Sequence, residues 1–270
     1  QFHHYLRKQL QIEYGRCIVM SMNHTFEEKS IQYEKSLDEE YKKNNGIFYT
    51  DIELASSIVD FLNIPKNASI IDPCCGTGSF IYTLLSLGYE NVYGCDFDSK
   101  TVIKCKNLTG SKNIKKMDTL GLDGETILKK LNHTKFDYVV GNPPYAPLGK
   151  EVALNAEEDF VANVKNSGAN LFVAAIYRAF EMTKDKGFVS FILPKNLLHI
   201  SSYKRIRNKL LKEKKLISII ELGIHFKTVR GEQVVLTFQN QFEKDNKIKY
   251  YIYKHGQISF MSEVSQNYYE

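Results

Sequence analysis

The sequence predicts an α/β fold, a doubly wound and mostly parallel sheet of seven strands with helices on both faces. From about residue 50 onward, short runs of β-branched and aromatic residues alternate with stretches of helical periodicity. The first of these runs leads into a glycine-rich turn, and the length of 270 residues suits one large α/β domain. We therefore expect a ligand beyond the carboxyl ends of the first strands.

A helix over about 51–62 opens the regular pattern. Thr50 and Glu53 have the spacing of a capping box, and apolar residues recur after them at helical intervals up to Pro65. After this helix, the runs that predict strands are Ser69–Asp72, Val92–Asp96, Ile114–Met117, Phe136–Gly141, Phe188–Pro194, Leu216–Leu222 and Val234–Phe238. The stretches that predict helices between them include Phe80–Leu87, Ser99–Leu108 and Leu171–Lys184.

The outer parts of the chain differ from this pattern. Residues 1–45 have weak helical periodicity and no strand signals, which predicts a peripheral N-terminal helical extension. Residues 46–245 hold the alternating elements, and residues 246–270 form a C-terminal tail with a strand-like run, Ile248–Tyr253. Residues 146–170 make a connection longer than normal, a length that is typical of functional or mobile loops.

Composition excludes several classes of protein. No uncharged apolar run approaches the roughly 18 residues of a membrane span, and no leader pattern is present, so we expect a cytoplasmic protein without a membrane partner. Five cysteines without a C-x-x-C pair argue against a disulfide framework or a zinc site, and the seven histidines form no metal pattern. The net charge of +5 permits a polyanionic partner without demonstrating one.

A Gly-x-Gly turn between a strand and a helix forms the first candidate site. Gly76 and Gly78 follow the run that ends at Asp72, and glycines here let a ligand approach the backbone closely. A dinucleotide fingerprint needs a third glycine at position 81, where the sequence has Ile81. This departure favours a cofactor with a methionine moiety and no pyrophosphate. The next strand ends at Asp96, which is placed to accept hydrogen bonds from both ribose hydroxyls.

An Asn-Pro-Pro-Tyr motif, Asn142 to Tyr145, follows the fourth predicted strand. A double proline stops the strand, because proline donates no ladder hydrogen bond, and it fixes a stiff turn. The turn holds two acceptors in place, the Asn142 side-chain amide and the Pro143 carbonyl.

Together these features resemble the S-adenosylmethionine-dependent DNA adenine-N6 methyltransferases of restriction-modification systems. The resemblance covers about residues 46–240 and rests on the Asn-Pro-Pro-Tyr motif, the 72–80 loop, Asp96, Asp118 and the segment Phe48-Tyr49-Thr50. Their order is that of the family's gamma arrangement. The resemblance implies a class I methyltransferase fold of Rossmann type, residues 46–245 as the catalytic domain, S-adenosylmethionine as cofactor and double-stranded DNA as partner.

The resemblance also implies which residues hold the cofactor. Its methionine end would lie against Tyr49, Thr50, Asp72, Cys74 and Gly76. Its ribose and adenine would lie against Asp96, Phe97, Asp118 and Thr119, and Asn142 borders the same site. The family usually has proline at position 51, where this sequence has Asp51, a departure at the start of the helix.

Adenine N6 is a poor nucleophile because its lone pair is delocalised into the ring. The resemblance implies that Asn142 Oδ1 and the Pro143 carbonyl each accept one N6 hydrogen, which requires positioned acceptors and no strong base. The base must leave the duplex and stack on aromatic faces. Pro144 stiffens the turn, Tyr145 is one stacking platform, and the resemblance places a second at Phe226, for which a role as plain core is the alternative.

The chain also contains a strongly basic stretch, Tyr203–Leu216. It suits a phosphate grip on DNA and equally suits a solvated helix face packed on the sheet. The family normally adds a target-recognition domain after the last strand, and the tail here is too short for one. We therefore expect sequence specificity to come from a C-terminal or separate module, or else to be minimal. The start at Gln1 agrees with a processed product or with a piece of a longer protein.

Two alternative functions remain at this point. The Asn-Pro-Pro-Tyr motif also occurs in methyltransferases that act on a glutamine amide of a translation release factor, because that amide has the same planar nitrogen. Those enzymes lack the Phe48-Tyr49-Thr50 segment, and its presence favours nucleic acid. The other alternative is a non-catalytic subunit that binds the cofactor.

Overall fold

A mixed sheet organises the computed structural model, which describes residues 24–148, 156–226 and 231–269. Within these residues the sheet has nine strands in the order β3-β2-β1-β4-β5-β7-β6-β8-β9. The strands are β1 Ile70–Asp72, β2 Val92–Asp96, β3 Ile114–Lys116, β4 Phe136–Gly141, β5 Thr183–Pro194, β6 Lys215–Gly223, β7 Gln233–Gln239, β8 Lys247–Lys254 and β9 Gln257–Ser265. The first five strands pair in parallel, as β6 does with β8.

The prediction of seven strands in a mostly parallel sheet is wrong in number and overstates the parallel pairing. β7 lies antiparallel between β5 and β6, because a short connection after β6 returns the chain as a hairpin, whereas a parallel crossover needs a longer one. β8 and β9 form a second hairpin whose turn residues, His255 and Gly256, both have positive φ. β9 gave no sequence signal because it is an edge strand with mostly exposed, mixed side chains.

The chain divides into two compact units, Gln1–Asp38 and Glu39–Glu270. In the first, the described residues are helical over 24–36, which we label α1, and the remainder of the predicted extension lies outside the described residues. The helices of the second unit are α2 Glu39–Asn45, α3 Ile52–Leu62, α4 Ser79–Ser86, α5 Ser99–Thr109, α6 Gly124–Leu131, α7 Glu158–Lys165, α8 Leu171–Met182 and α9 Lys204–Glu213. None of the described helices is long and apolar enough to cross a membrane.

The sheet of the second unit is covered on both faces, as a doubly wound arrangement requires. Ile71 and Val139 point into one apolar cluster with residues of α6, α8 and α9. Their neighbours Ile70 and Val140 point into a second cluster with residues of α3, α4 and α5. Because both faces are filled, β1 is buried at every position, and the strand ends are the places left for a ligand.

Two local predictions require correction. α3 is capped by Asp51, whose carboxylate accepts from the Leu54 amide at 2.8 Å. The predicted capping box starting at Thr50 does not form, because Asp51 is itself extended and the helix begins only at Ile52. The connection 146–170 contains α7, which its few apolar residues did not signal. Residues 149–155 of that connection lie outside the described residues.

Candidate active site

One cavity lies at the carboxyl ends of β1, β2, β3 and β4, and it encloses about 1020 Å³ when its open mouth is included. All the residues that the sequence suggested for the cofactor line it, namely Tyr49, Thr50, Asp72, Cys74, Gly76, Asp96, Phe97, Asp118, Thr119 and Asn142. Parallel strands bring their carboxyl ends to one edge of the sheet, which is why residues so far apart in the chain meet here.

The turn after β1 borders the cavity with glycine backbone, which carries no side chain. Gly76 has a φ of +53°, and a Cβ on it would lie 3.1 Å from the Tyr49 ring. Gly78 has a φ of +95°, and a Cβ there would lie 2.6 Å from the Cys105 sulfur. Gly76 therefore makes room for Tyr49 above the turn, while Gly78 lets α4 pack closely against α5.

Asp72 ends β1 beneath the cavity and is almost completely buried. Its Oδ1 accepts from the Cys74 amide at 3.1 Å, and a Cβ on Gly141 would lie 2.5 Å from the same oxygen. Burial, together with the nearby charge of Asp96, raises the pKa of Asp72 to about 8. The Asp72 carboxyl is thus a desolvated group beside the end of β4.

Asp96 ends β2 and ties two loops together. Its Oδ2 accepts from the Gly76 amide at 3.0 Å and its Oδ1 from the Asp98 amide at 2.9 Å. Burial raises the pKa of Asp96 to about 6, although these two backbone hydrogen bonds oppose the shift. Asp98 in turn accepts from the Tyr41 hydroxyl at 2.7 Å, which attaches α2 to this corner.

The third strand ends in a turn on the same side of the cavity. Asp118 Oδ1 accepts from the amides of Leu120 and Gly121, both at 3.1 Å, so this carboxylate holds its own turn. The Thr119 hydroxyl donates to the Pro73 carbonyl at 2.8 Å. Phe97 also lines the cavity, and its side chain is 46% exposed.

Asn142 has a fixed orientation. Its Nδ2 donates to the Phe48 carbonyl at 3.2 Å and to the Thr50 hydroxyl at 3.3 Å. A carbonyl oxygen only accepts, so the nitrogen must face the 48–50 segment. Asn142 Oδ1 is buried and has no hydrogen-bond partner among the residues that the structure describes. A buried acceptor without a donor indicates a place prepared for one.

The rest of the Asn-Pro-Pro-Tyr motif is anchored on both sides. Pro144 lines the cavity, and Pro143 is buried beside it. The Tyr145 amide donates to the Gly46 carbonyl at 3.2 Å, and its hydroxyl donates to the Ile192 carbonyl of β5 at 2.9 Å. Burial raises the pKa of Tyr145 well above its usual range, so the hydroxyl stays a donor.

The structure does not bring Phe226 to the cavity wall. Its ring is 8% exposed and packs in the apolar cluster under α3 with residues of β6 and β7. The buried Gln233 side chain accepts from the amides of His225 and Phe226, which holds the end of the loop after β6. Residues 227–230, which follow directly, lie outside the described residues.

Several residues of this site were not predicted from the sequence. Gly46, Ile47 and Leu171 line the cavity, and a Cβ on Gly46 would lie 2.5 Å from the Tyr145 nitrogen. A glycine just before Phe48 was the available signal for this close approach. The contact between Asp51 and His225 was also missed, because no spacing pattern links two residues so distant in sequence.

The basic stretch on α9 is largely engaged in internal contacts. Arg207 donates to the carbonyls of Leu197 and Ile200, and Lys209 pairs with Glu213. Lys214 donates to Asn240, and Lys215 pairs with Glu243. Ile206 and Leu210 of α9 are buried, so this helix packs one face on the sheet. No group of three or more His, Cys, Asp or Glu side chains in the described part of the chain is arranged to hold a metal ion.

Comparison with known proteins gives a consistent result. Residues 32–268 match the family model described as N-6 DNA Methylase. The type II methyltransferase M.VspI of Vibrio sp. strain 343 is 31% identical over 208 residues, covering 72% of this chain and 48% of that protein. The modification methylase CviBIII of Paramecium bursaria Chlorella virus NC1A is 29% identical over 182 residues, covering 65% of this chain and 44% of that protein. The chain thus spans less than half the length of each of these two relatives.

Solved structures agree on the fold. A type I restriction-modification methyltransferase subunit from Streptococcus thermophilus superposes with a TM-score of 0.63 at 18% identity, covering 81% of this chain and 51% of that chain. At this identity the likeness concerns the fold alone, a mixed α/β sheet of the class I methyltransferase type.

Proposed function

Because the chain belongs to the N-6 DNA methylase family, we propose that it transfers a methyl group from S-adenosylmethionine to the N6 amine of adenine in DNA. The observation that carries the proposal is the buried, unpartnered Oδ1 of Asn142 beside the cavity. An amide oxygen held ready as an acceptor suits a substrate that brings an N–H group, and an exocyclic amine is such a substrate.

The residues that line the cavity suit this cofactor. Lysine and arginine do not occur among the described residues that line it, although a pyrophosphate cofactor attracts such cations. Three acidic side chains do line it, Asp72, Asp96 and Asp118, and a ligand with positive charge would favour their ionised forms. When bound, S-adenosylmethionine supplies the electrophilic methyl group.

We assign the cofactor contacts from these positions. Asp96, at the end of β2, would accept from the ribose hydroxyls, and the exposed ring of Phe97 would cover the adenine. The Asp118 carboxylate, which has a second oxygen besides the one that holds its turn, would accept from the adenine amine beside Thr119. Tyr49 and Thr50 close the methionine end above Asp72, Cys74 and Gly76.

The chemistry of the transfer needs two acceptors in fixed positions. Asn142 Oδ1 would accept one N6 hydrogen and the Pro143 carbonyl the other, which would direct the nitrogen lone pair toward the methyl group. The nitrogen–methyl bond would form as the methyl–sulfur bond breaks, with the thioether as leaving group and the replaced N6 proton released to solvent. Phe48 and Thr50 support this role because they hold the amide so that its oxygen cannot rotate away. Such prearranged acceptors require no reorganisation during the reaction, and no strong base is needed.

The target base has to leave the duplex to reach this depth. Tyr145 does not line the cavity, because its hydroxyl is anchored on β5 and its ring packs against Phe48 and Phe172. We keep it in this proposal as one stacking platform, behind the stiff turn of Pro143 and Pro144. We keep Phe226 as the second platform in this proposal. Because its ring is buried in the present arrangement, this role requires the Phe226 side chain to turn out of its apolar cluster when DNA binds.

We propose residues 46–245 as the catalytic domain and residues 246–270 as a C-terminal extension. The curated relatives are about twice as long as the segment they share with this chain, which supports a recognition module outside it. We propose that this module, on the same polypeptide or on a separate subunit, selects the sequence in double-stranded DNA, while the catalytic domain supplies the chemistry.

The test is transfer of labelled methyl from S-adenosylmethionine to mixed-sequence DNA, followed by nucleoside analysis of the digest. A duplex made only of G·C pairs is the matched control, because it offers the cytosine amine but no adenine. We expect N6-methyladenine from the mixed duplex and no label in the control. Label on cytosine, or label only on a release-factor glutamine supplied in parallel, would contradict the proposed substrate.

A further inference from the structure

A side-chain hydrogen bond links the start of α3 to the loop after β6. His225 Nε2 lies 2.7 Å from Asp51 Oδ2, and the two side chains are partly shielded from solvent. Asp51 stands at the start of α3, directly after Thr50, whereas His225 stands in the loop after β6, directly before Phe226. The contact therefore joins segments that the chain itself keeps far apart.

Each end of this contact is tied to a residue of the proposed site. On one side, Thr50 accepts from the Asn142 amide, so a displacement of the 48–51 segment would turn the Asn142 side chain. On the other side, Gln233 holds the backbone of His225 and Phe226. The His225 ring also packs edge-on against Phe226, with 5.2 Å between ring centroids.

The protonation of the pair follows from its surroundings. Burial raises the pKa of Asp51, but the His225 hydrogen bond and charge and the Leu54 amide outweigh it, so the pKa is lowered overall. The carboxylate is therefore ionised and can only accept, which places a proton on His225 Nε2. Asp51 uses its other oxygen to cap α3, so a single carboxylate fixes both the helix and the loop.

We propose that Asp51 and His225 form a positioning pair for methyl transfer, which rests on the proposed function and extends it. The pair holds the segment that orients Asn142 and the loop that carries Phe226 in one relative arrangement. Neither residue contacts the reacting atoms. Its loss lowers the rate of transfer, because a small misplacement of a catalytic group is costly, and leaves cofactor affinity nearly unchanged.

The experiment separates the contact between Asp51 and His225 from the role of Asp51 as the cap of α3. His225→Leu removes the link and leaves the cap intact, while His225→Gln retains a side-chain donor. Asp123→Ala is the matched control, because Asp123 caps α6 through the Thr126 amide at 2.8 Å and has no histidine partner in the residues described. Each variant is measured for kcat and KM on DNA, for cofactor Kd, and for amide hydrogen exchange in residues 48–54 and 223–226.

For His225→Leu we expect a fall in kcat of about tenfold, a cofactor Kd within about threefold of the starting protein, and faster exchange in both segments. His225→Gln should recover most of the rate, and Asp123→Ala should keep it. If His225→Leu exchanges at the original rate in residues 48–54, or keeps its kcat, the pair does not position the site. If the unaltered protein transfers no methyl group, the proposed function fails, and the exchange data still decide whether the two segments are coupled.

Discussion

Asn142 and Thr50 are joined by a hydrogen bond in which the Asn142 side-chain nitrogen donates to the Thr50 hydroxyl at 3.3 Å. The segment before α3 therefore orients the side chain that follows β4. This relationship gives the Phe48-Tyr49-Thr50 segment a role in the proposed chemistry in addition to its place in the cavity wall.

Thr50→Val tests this relationship with a side chain of nearly the same shape. Removing the hydroxyl leaves Asn142 Nδ2 with the Phe48 carbonyl alone, so the amide is held less firmly. We expect kcat for transfer to fall about tenfold, with a smaller change in cofactor Kd. Thr50→Ser retains the hydroxyl and should keep most of the rate. Equal rates in Thr50→Val and the unaltered protein would contradict the orienting role.

Gly76→Ala tests the bare backbone of the turn after β1. Both Gly76 and Gly88 have positive φ, but a Cβ on Gly76 meets the Tyr49 ring, while a Cβ on Gly88 has no described atom within 4 Å. Each alanine should cost about 1 kcal/mol of stability through backbone strain. Only Gly76→Ala should also weaken cofactor binding, because it displaces Tyr49. Isothermal titration calorimetry measures the cofactor Kd of both variants after each is shown to be folded. A Kd that is unchanged in Gly76→Ala, or raised equally in Gly88→Ala, would contradict the role of Gly76.

The carboxyl of Asp72 predicts a pH dependence of stability. Burial raises its pKa from the usual 3.8 to about 8, so between these values the folded chain holds a proton that the unfolded chain has released. Stability contributed by Asp72 is therefore complete below pH 4 and is lost as the pH rises to about 8. Asp72→Asn removes this titration. Its thermal midpoint should exceed that of the unaltered protein at pH 9, and the difference should shrink toward pH 4.

Asp123→Asn supplies a control of opposite sign for this experiment. Hydrogen bonds from Thr126 lower the pKa of Asp123, so its contribution to stability is present above the usual carboxyl pKa and is lost as the pH falls. This variant should be less stable than the unaltered protein at pH 9. If the thermal midpoint of Asp72→Asn stays below that of the unaltered protein at every pH, the buried Asp72 charge does not destabilise the fold, and this account of Asp72 is contradicted.

The site could be predicted from the sequence because it lies where strands end. Asp72, Asp96 and Asn142 each follow an apolar run that forms a strand, and the carboxyl ends of parallel strands meet. Asp118 was found in the same way, although it also holds its own turn. In these cases the local pattern and the tertiary arrangement agree, so a signal along the chain was sufficient.

Other features depend on contacts between distant segments and gave no local signal. The cap of α3 falls on Asp51 rather than Thr50 because the helix begins at Ile52, and Asp51 is also held by His225, a contact that periodicity cannot reveal. β9 alternates poorly because it lies at the edge of the sheet, and it was missed. The pairing of Asp51 with His225 arises only once β6 is placed beside the start of α3.

The most direct test of the central claim compares Asn142→Ala with Asp96→Ala in two measurements, cofactor Kd and the single-turnover rate of methyl transfer to DNA at saturating cofactor. Asn142→Ala should lose transfer by about 10²-fold or more, because it removes a prearranged acceptor, while its Kd stays within a few-fold. Asp96→Ala should weaken cofactor binding and retain transfer once the cofactor is saturating. Equal loss of cofactor binding in both variants, or normal transfer by Asn142→Ala, would contradict the account.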